Sequence, residues 1–398
     1  MKILVISQNF YPEIGSGANR IKNLYTQLSK IHDVDVLTTT PTYPNQKMYN
    51  DKKYWNEPDI NDSSDILRIP MKLKKQSKSM FLRLMYYVEL SLKVRVFLMR
   101  NQKKYDVVYV TSPNIFLAWV TLFFQKKKTG ITRVLEIRDL WPDSVSKIDK
   151  ININWIYGFL KFLEGKMYRL ADKIVINNEG FRKHIESFSP RTPIFYLPNG
   201  LTDKETEAVV KGDEFKVLYT GNIGFAQSLE QLVDVANLLE KAKITFNVIG
   251  YGVNAHAFRD YIKMQNFKHV TMYDECSRAE ALEQIKQHNV QLSLLKTDDV
   301  FMNVLPGKIV DGIGCNTVVV SNIGGYANAL LKEYDAGVAI EAGSAEEIVD
   351  AIKHIRDNPT DELKYRENMQ RLLDDQFLWS KNIYKLDRFL SSDGLDNV

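Results

Sequence analysis

"FKVLYTGNIGFAQSLEQLVDVANLLEKAKITFNVIGYGVN", residues Phe215 to Asn254, decides the fold. It opens on a continuous apolar run, "FKVLYTGN", of the kind that forms a strand covered on both faces. A helical pattern follows in "SLEQLVDVANLLEKA", and a second apolar run, "ITFNVIG", closes the unit. Strand, helix and strand in that order predict a parallel sheet flanked by helices. Between the first strand and the helix lie Gly221, Asn222, Ile223 and Gly224. Such a loop lets backbone N–H groups approach an anion closely. Gly250 and Gly252 stand at the end of the next strand. One glycine loop is weak evidence of a binding site, whereas two at the ends of neighbouring strands are stronger.

Working outward, the same rhythm fills the chain. Downstream come "HVTMYDE", "VQLSLLK", "CNTVVVSN" and "GVAIEA", alternating with helical stretches such as "RAEALEQIKQH" and "AEEIVDAIKHIRDN". Upstream, "KILVIS", "DVDVLTT", "DILRIP", "DVVYVTS", "TRVLEIRD", "KIVINN" and "PIFYLPN" make a second set of strands. The polar, Gly-containing segment "PNGLTDKETEAVVKGDE" separates the two sets as a linker would. Two α/β domains follow one another, as 398 residues also suggest. The tail "DDQFLWSKNIYKLDRFL" reads as a last helix and "SSDGLDNV" as a frayed end.

Composition narrows the function classes. A hydrophobic share of 44% and a charged share of 26% mark a globular chain, and a net charge of +4 does not by itself point to nucleic acid. Cys276 and Cys315 supply neither a disulfide framework nor a metal cluster and fit a reducing cytoplasm. The start "MKILVISQNFYPE" reads as a first strand and not as a signal peptide. "PNIFLAWVTLFFQ" is too short to cross a bilayer and reads as a core helix.

Chemistry is expected in loops that directly follow strands, because ligands bind open parallel sheets at their carboxyl ends. After the first strand, "SQNFYPEIGSGANR" brings Gly15, Ser16 and Gly17. The spacing departs from the dinucleotide fingerprint: Arg20 stands where a third glycine belongs, and no acid closes the second strand. The stretch is either a flexible loop before a helix or a cluster of N–H groups at a helix start with Arg20 beside it to hold a phosphate. After the fifth strand, "EIRDLWPDSV" places Arg138 and Asp139 before Pro142. Glu136 and Arg138 could simply pair and the acids cap a helix; alternatively Asp139 orients or deprotonates a hydroxyl. In "VLPGKIVDGIGCNTVVVSN", Lys308 and Asp311 sit at a Pro-started helix. Alone they read equally as surface residues or as grips for a nucleotide's phosphates and sugar.

One segment breaks the pattern. "KLKKQSKSMFLRLMYYVELSLKVRVFLMRNQKK", Lys72 to Lys104, is densely basic with Glu89 its only acid. It reads either as a core helix with a solvated basic face or as a helix lying on an anionic membrane. In the second case Lys72, Lys74, Lys75 and Lys78 meet lipid head groups while Phe81, Leu82, Met85 and Tyr86 dip in. No nucleic-acid-reading module accompanies the charge, so nucleic acid is not an expected partner.

Taken in order, "SQNFYPEIGSGANR", "RDLWPDS", "LPNG", "YTGNIGFAQSLEQL", the Pro-x-Lys segment and "SNIGG" resemble a family 4 retaining glycosyltransferase, of the branch that builds capsule and O-antigen repeat units. The resemblance implies a GT-B fold: two Rossmann-like domains facing a cleft, here residues 1–200 for the acceptor and 201–375 for the donor. It implies a C-terminal helix, residues 376–398, returning to the first domain. It further implies a nucleotide-sugar donor, UDP in preference to GDP, with an N-acetylated hexosamine or 6-deoxyhexosamine as the sugar. No cofactor or metal is required, and the acceptor is a polyprenyl-diphosphate-linked sugar at the cytoplasmic face of the inner membrane. Carried over by position, Gly15, Ser16 and Gly17 lie beside the donor phosphates. Asp139 falls near a family histidine that contacts the donor sugar, with Arg20 and Arg138 contacting acceptor or phosphate. Asn222 and Gly224 lie in the donor loop, Asn222 where other branches have arginine, which leaves Lys308 as the main second-domain cation. Val304 and Leu305 line the donor. The family's paired glutamates fall on Asn303 and Asp311, the latter reaching ribose hydroxyls with a side chain roughly 1.3 Å shorter. Other classes remain: an NAD-dependent oxidoreductase without the fingerprint, an inverting relative or sugar-nucleotide epimerase on the same plan, and a non-catalytic scaffold of a polysaccharide assembly complex.

Overall fold

The computed structural model describes residues 1–43, 45–73, 79–112, 114–124, 130–143, 157–297 and 304–392. The chain forms two compact units, one of Met1–Pro198 with the segment from Ser380 onward, the other of Asn199–Trp379.

The first unit is built on strands β1 (Lys2–Ile6), β2 (Asp33–Thr39), β3 (Ile66–Ile69), β4 (Val107–Thr111), β5 (Thr132–Ile137), β6 (Lys173–Ile176) and β7 (Ile194–Tyr196). They pair in parallel in the order β3-β2-β1-β4-β5-β6-β7. Every residue of β4 and β6 is buried, which is why these strands read as unbroken apolar runs and not as alternating ones. Right-handed crossovers then fix the layers. The connections β3 to β4, β4 to β5 and β5 to β6 all step the same way across the sheet. Their helices, Met80–Asn101, Ile115–Phe124 and Tyr157–Leu170, therefore share one face. The helix Ser16–Leu28, which connects β1 to β2 in the opposite sense, covers the other face.

The second unit repeats the plan with β8 (Lys216–Asn222), β9 (Thr245–Tyr251), β10 (Val270–Tyr273), β11 (Val290–Ser293), β12 (Val318–Ser321) and β13 (Val338–Ala339). Its order is β10-β9-β8-β11-β12-β13, again all parallel. This is the dinucleotide-fold order, so the expected pair of Rossmann-like sheets is present. In each sheet the direction of strand addition reverses once, between β1 and β4 and between β8 and β11. Loops at the carboxyl ends beside those points are where ligands bind in such folds.

The chain enters and leaves the second unit at one place. Leu201 N–H donates to the Phe377 carbonyl (2.9 Å), and Trp379 N–H donates to the Leu201 carbonyl (3.0 Å). The Trp379 indole donates to the Gly200 carbonyl at 3.0 Å. A Cβ on Gly200 would lie 2.3 Å from the Phe377 carbonyl oxygen, so the glycine of "LPNG" is there for close backbone approach. Beyond it the helix Trp379–Ser391 packs on the first unit, as expected of the last helix. Lys173 Nζ donates to the carbonyls of Phe389 (2.5 Å), Leu390 (2.9 Å) and Ser392 (2.6 Å), a cation at a helix C-terminus. His32 Nε2 lies 2.7 Å from Asp387 Oδ1, and Phe195 stacks on Phe389 at 5.2 Å.

Candidate active site

In the second unit the helix Gly307–Gly314 begins after β11, with Pro306 as its N-cap and no side chain capping it. Among the described residues no side chain caps its first N–H groups, of which Ile309 N–H donates to the Pro306 carbonyl at 3.1 Å, and the positive end of the helix dipole lies at this end. Lys308, in the first turn, extends toward the carboxyl end of β8. Its Nζ stands 4.7 Å from the centre of the Tyr219 ring, and it lies against Gly221, which has φ +103°. Among the described residues this half-buried ammonium has no hydrogen-bond or ion-pair partner. Desolvation pushes its pKa down to about 8, with Asp311 pulling it partway back. A cation held in this way gains most from an incoming anion, which restores its charge.

The glycine loop after β8 is organised differently from its sequence reading. The Ile223 N–H donates to the Tyr251 carbonyl (2.7 Å) and the Gly224 N–H to Gln227 Oε1 (2.9 Å). These donors are filled within the fold and are not aimed at an anion. The Asn222 side chain occupies the space over two glycines: a Cβ would fall 2.5 Å from its Nδ2 at Gly224 and 2.1 Å from its Oδ1 at Gly252. Asn222 thus braces the loop, and its glycines are small to admit it. Asn254 closes the other side, its N–H donating to the Ile223 carbonyl at 3.0 Å.

Asp311 also has an unforeseen partner. Both its oxygens accept from Arg278, Oδ1 at 2.9 Å and Oδ2 at 3.2 Å, while Arg278 Nε donates to Glu205 at 2.9 Å. The two acids outweigh desolvation and raise the guanidinium's pKa. Its sequence position held a clue: Arg278 opens a helix, where a cation opposes the dipole unless acids offset it. Asn322 was missed as well. It is fully buried and bonds the Leu295 backbone in both directions, N–H to Oδ1 at 2.9 Å and Nδ2 to carbonyl at 2.6 Å, which fixes the loop after β11. Leu305 is buried in the second core and Val304 packs against it. Asn303 lies outside the described residues.

The first unit carries its own cluster. Gly15 caps the helix Ser16–Leu28 at φ 146° and ψ 151°, a conformation open to glycine alone, with no side-chain cap and no acid in the first turn. The loop before it is firmly held. Glu13 Oε1 accepts the N–H groups of Thr42 (2.7 Å) and Tyr43 (3.0 Å), and the Ile14 N–H donates to Tyr49 Oη at 3.0 Å. Arg138 leaves the end of β5, donates from Nε to the Ser112 carbonyl at 2.7 Å, and lays its guanidinium over Gly17. A Cβ on Gly17 would meet Arg138 Nη1 at 2.0 Å. Among the described residues the two Nη groups have no hydrogen-bond acceptor. Asp139, the next residue, reaches solvent, yet the surrounding protein raises its carboxyl pKa by desolvation against the pull of Arg138. Gly15, Gly17, Arg138 and Asp139 therefore share the carboxyl edge of one sheet, with Ser16 exposed beside them.

Arg20 is placed elsewhere. It is 2% exposed, its Nε donates to Glu136 at 2.9 Å, and its Nη groups donate to the carbonyls of Pro198 (2.9 Å) and Leu197 (2.8 Å). Its guanidinium closes the core, so it is a buried brace and not an open phosphate cation. Glu136 takes Arg20 as its main partner, with Arg138 at 4.0 Å and the Tyr109 hydroxyl at 2.6 Å. Burial pushes the Glu136 carboxyl up, but the two arginines and Tyr109 more than offset it and hold it below the usual range.

Of the residues expected at a membrane, Lys72, Phe81 and Leu82 are exposed, and Met85 is half-buried. Tyr86 is 1% exposed and belongs to the core, because it falls on the buried stripe with Leu90, Val94 and Leu98. Lys74, Lys75 and Lys78 lie outside the described residues. Among the described residues no helix is long and apolar enough to cross a membrane.

Comparison with known proteins agrees with this geometry. Residues 15–200 match the family Glycosyl transferase 4-like domain, and residues 202–372 match Glycosyl transferases group 1. The chain is 22% identical to a putative colanic acid biosynthesis glycosyl transferase, WcaI, of Escherichia coli K12, over 94% of this chain and 97% of that one. Among solved structures it superposes on sucrose-phosphate synthase from Thermosynechococcus elongatus with a TM-score of 0.71, 16% identity and 98% of both chains covered. It superposes on Anabaena HepE in complex with UDP with a TM-score of 0.69, 12% identity, and 98% and 100% coverage. With its two halves matching these two families in order and both sheets in place, the chain is a group 1, family 4 glycosyltransferase of GT-B fold.

Proposed function

We propose that the enzyme transfers a sugar from a UDP-sugar, with retention, onto a polyprenyl-diphosphate-linked sugar during synthesis of a bacterial surface polysaccharide of the capsule or O-antigen kind. The donor sugar in this reading is an N-acetylated hexosamine or 6-deoxyhexosamine. The observation that carries it is the Lys308 ammonium, without a hydrogen-bond or ion-pair partner among the described residues, at the start of the Gly307–Gly314 helix beside the point where the second sheet reverses. HepE, of the same fold, holds UDP, and WcaI is named as a putative colanic acid biosynthesis glycosyl transferase; both support the reading.

The chemistry follows from charge. As the anomeric bond breaks, the leaving diphosphate gathers negative charge. Lys308 and the helix start stabilise that charge more in the transition state than in the ground state. The second unit takes the nucleotide sugar, with Asp311 near the ribose under the hold of Arg278. The first unit takes the acceptor, with Arg138 and the N–H groups at Gly15–Gly17 facing phosphate oxygens. Asp139 orients the acceptor hydroxyl, and the departing phosphate oxygen receives its proton, so no protein group needs to end protonated. Lys308→Ala tests this. Turnover should fall by about a hundredfold or more, the size of one lost transition-state donor, with an unchanged melting temperature. Wild-type turnover in that variant removes the phosphate role.

A further inference from the structure

Lys308 does not stand alone at the carboxyl end of β8. Its ammonium lies 4.7 Å from the centre of the Tyr219 ring, within reach of a cation–π contact. The ring is 1% exposed, so a ligand meets the ammonium from the side away from it. Alongside, a Cβ on Gly221 would stand 3.6 Å from both Cε and Nζ of the lysine. The same tyrosine has a second hold. Its hydroxyl donates at 2.8 Å to the carbonyl of Asn222, the residue whose side chain fills the space over Gly224 and Gly252. One buried side chain thus touches the cation with its ring and pins the glycine loop with its hydroxyl.

A ring suits this place better than an acid. A carboxylate beside the lysine would pair with it and repel an incoming diphosphate. The electron-rich face of a neutral ring favours the charged lysine while leaving its N–H groups to the ligand. Burial of the ammonium opposes the charge and takes its pKa down to about 8, with Asp311 pulling the other way. Of titratable groups, Asp311 acts on the lysine from its own helix, and Arg278 holds that acid from the helix Arg278–Lys286. Tyr251, on β9, acts on the tyrosine. Burial first and Tyr251 second raise the Tyr219 hydroxyl's pKa, so the ring stays neutral wherever the lysine titrates.

We infer that Tyr219 is a positioning residue of the donor site: its ring seats the Lys308 ammonium for the diphosphate of the nucleotide sugar, and its hydroxyl holds the glycine loop beside it. The inference rests on the reading of Lys308 as the diphosphate's cation. The test is calorimetry of UDP binding to the full chain as pH rises through about 8, with the ring at position 219 varied at constant shape. Tyr219→Phe keeps the ring and should keep the wild-type pH midpoint. Adding one, two and three fluorines to that phenylalanine draws electron density off the ring face and barely alters its size. The midpoint should then fall stepwise, by about one unit in all, because the ring favours the charged lysine less. The UDP Kd near the midpoint should rise in step, with the melting temperature of Tyr219→Phe retained. In the Lys308→Ala background the same fluorines should change nothing. A midpoint that ignores the fluorines overturns the inference, since the ring would then be packing alone. So does an affinity that rises with fluorine, because the ammonium would have to leave the ring to reach its ligand. UDP binding by Lys308→Ala equal to wild type removes the lysine reading itself, and this inference with it.

Discussion

At the scale of single residues, charge and burial separate the side chains that hold the fold from those left open to a substrate. Arg20 and Arg138 look alike in the sequence, each following a strand and a glycine or acid. The structure divides them by their partners. Arg20 is closed in by Glu136 and two carbonyls, so Arg20→Ala should lower stability by about 3–5 kcal/mol, the usual cost of stranding one member of a buried ion pair. Thermal or urea unfolding measures this; a variant as stable as wild type would contradict the brace. Among the described residues the Nη groups of Arg138, which lie over Gly17, have no hydrogen-bond acceptor. Gly17→Ala should leave stability nearly unchanged, since the guanidinium can swing away, and cut turnover by about tenfold or more. Equal turnover would show that the position of Arg138 is immaterial. Lys308 was readable from "LPGK" as a cation at a helix start. Its place over Tyr219 was not, because that contact spans β8 and β11 and no local pattern encodes it.

At the scale of elements, glycines and buried amides do what the loops need. The strands were legible because both faces are buried and the apolar runs are unbroken. The glycine loop after β8 was legible as a loop but not in its purpose. Its N–H groups turn inward to Tyr251 and Gln227, and Asn222 fills the space its glycines leave, a side-chain arrangement that spacing alone does not reveal. Asp311 reads from the sequence as a surface acid or a ribose contact, and its pairing with Arg278 depends on a helix some thirty residues upstream. Two predictions belong here. Gly200→Ala must push a Cβ into the Phe377 carbonyl and should cost about 1–3 kcal/mol, read as a lower urea midpoint. An unchanged midpoint would mean the crossing strands can part freely. Arg278→Gln releases both acids and should raise the donor KM several-fold with little change in kcat; a fall in kcat alone would contradict a positioning role.

At the scale of the whole molecule, the two sheets share one order over six strands, the first adding β7 at its edge, and the last helix returns to the first unit. That plan was legible because alternating strands and helices leave few topologies once crossovers are right-handed. The donor grip is the central claim, and the pH dependence of nucleotide binding tests it most directly. Lys308 holds a diphosphate only when protonated, and its pKa in the free protein lies near 8, lowered from 10.5. Affinity is therefore present below about pH 8 and declines as pH rises through it. Titration calorimetry of UDP and GDP between pH 6.5 and 9.5 (a range of about three units around that value) should show this decline for the wild type. Lys308→Arg, charged throughout, should bind without the decline, and Lys308→Ala should bind weakly at every pH. If Lys308→Ala binds as tightly as wild type and with the same pH dependence, the diphosphate is held elsewhere and the account fails.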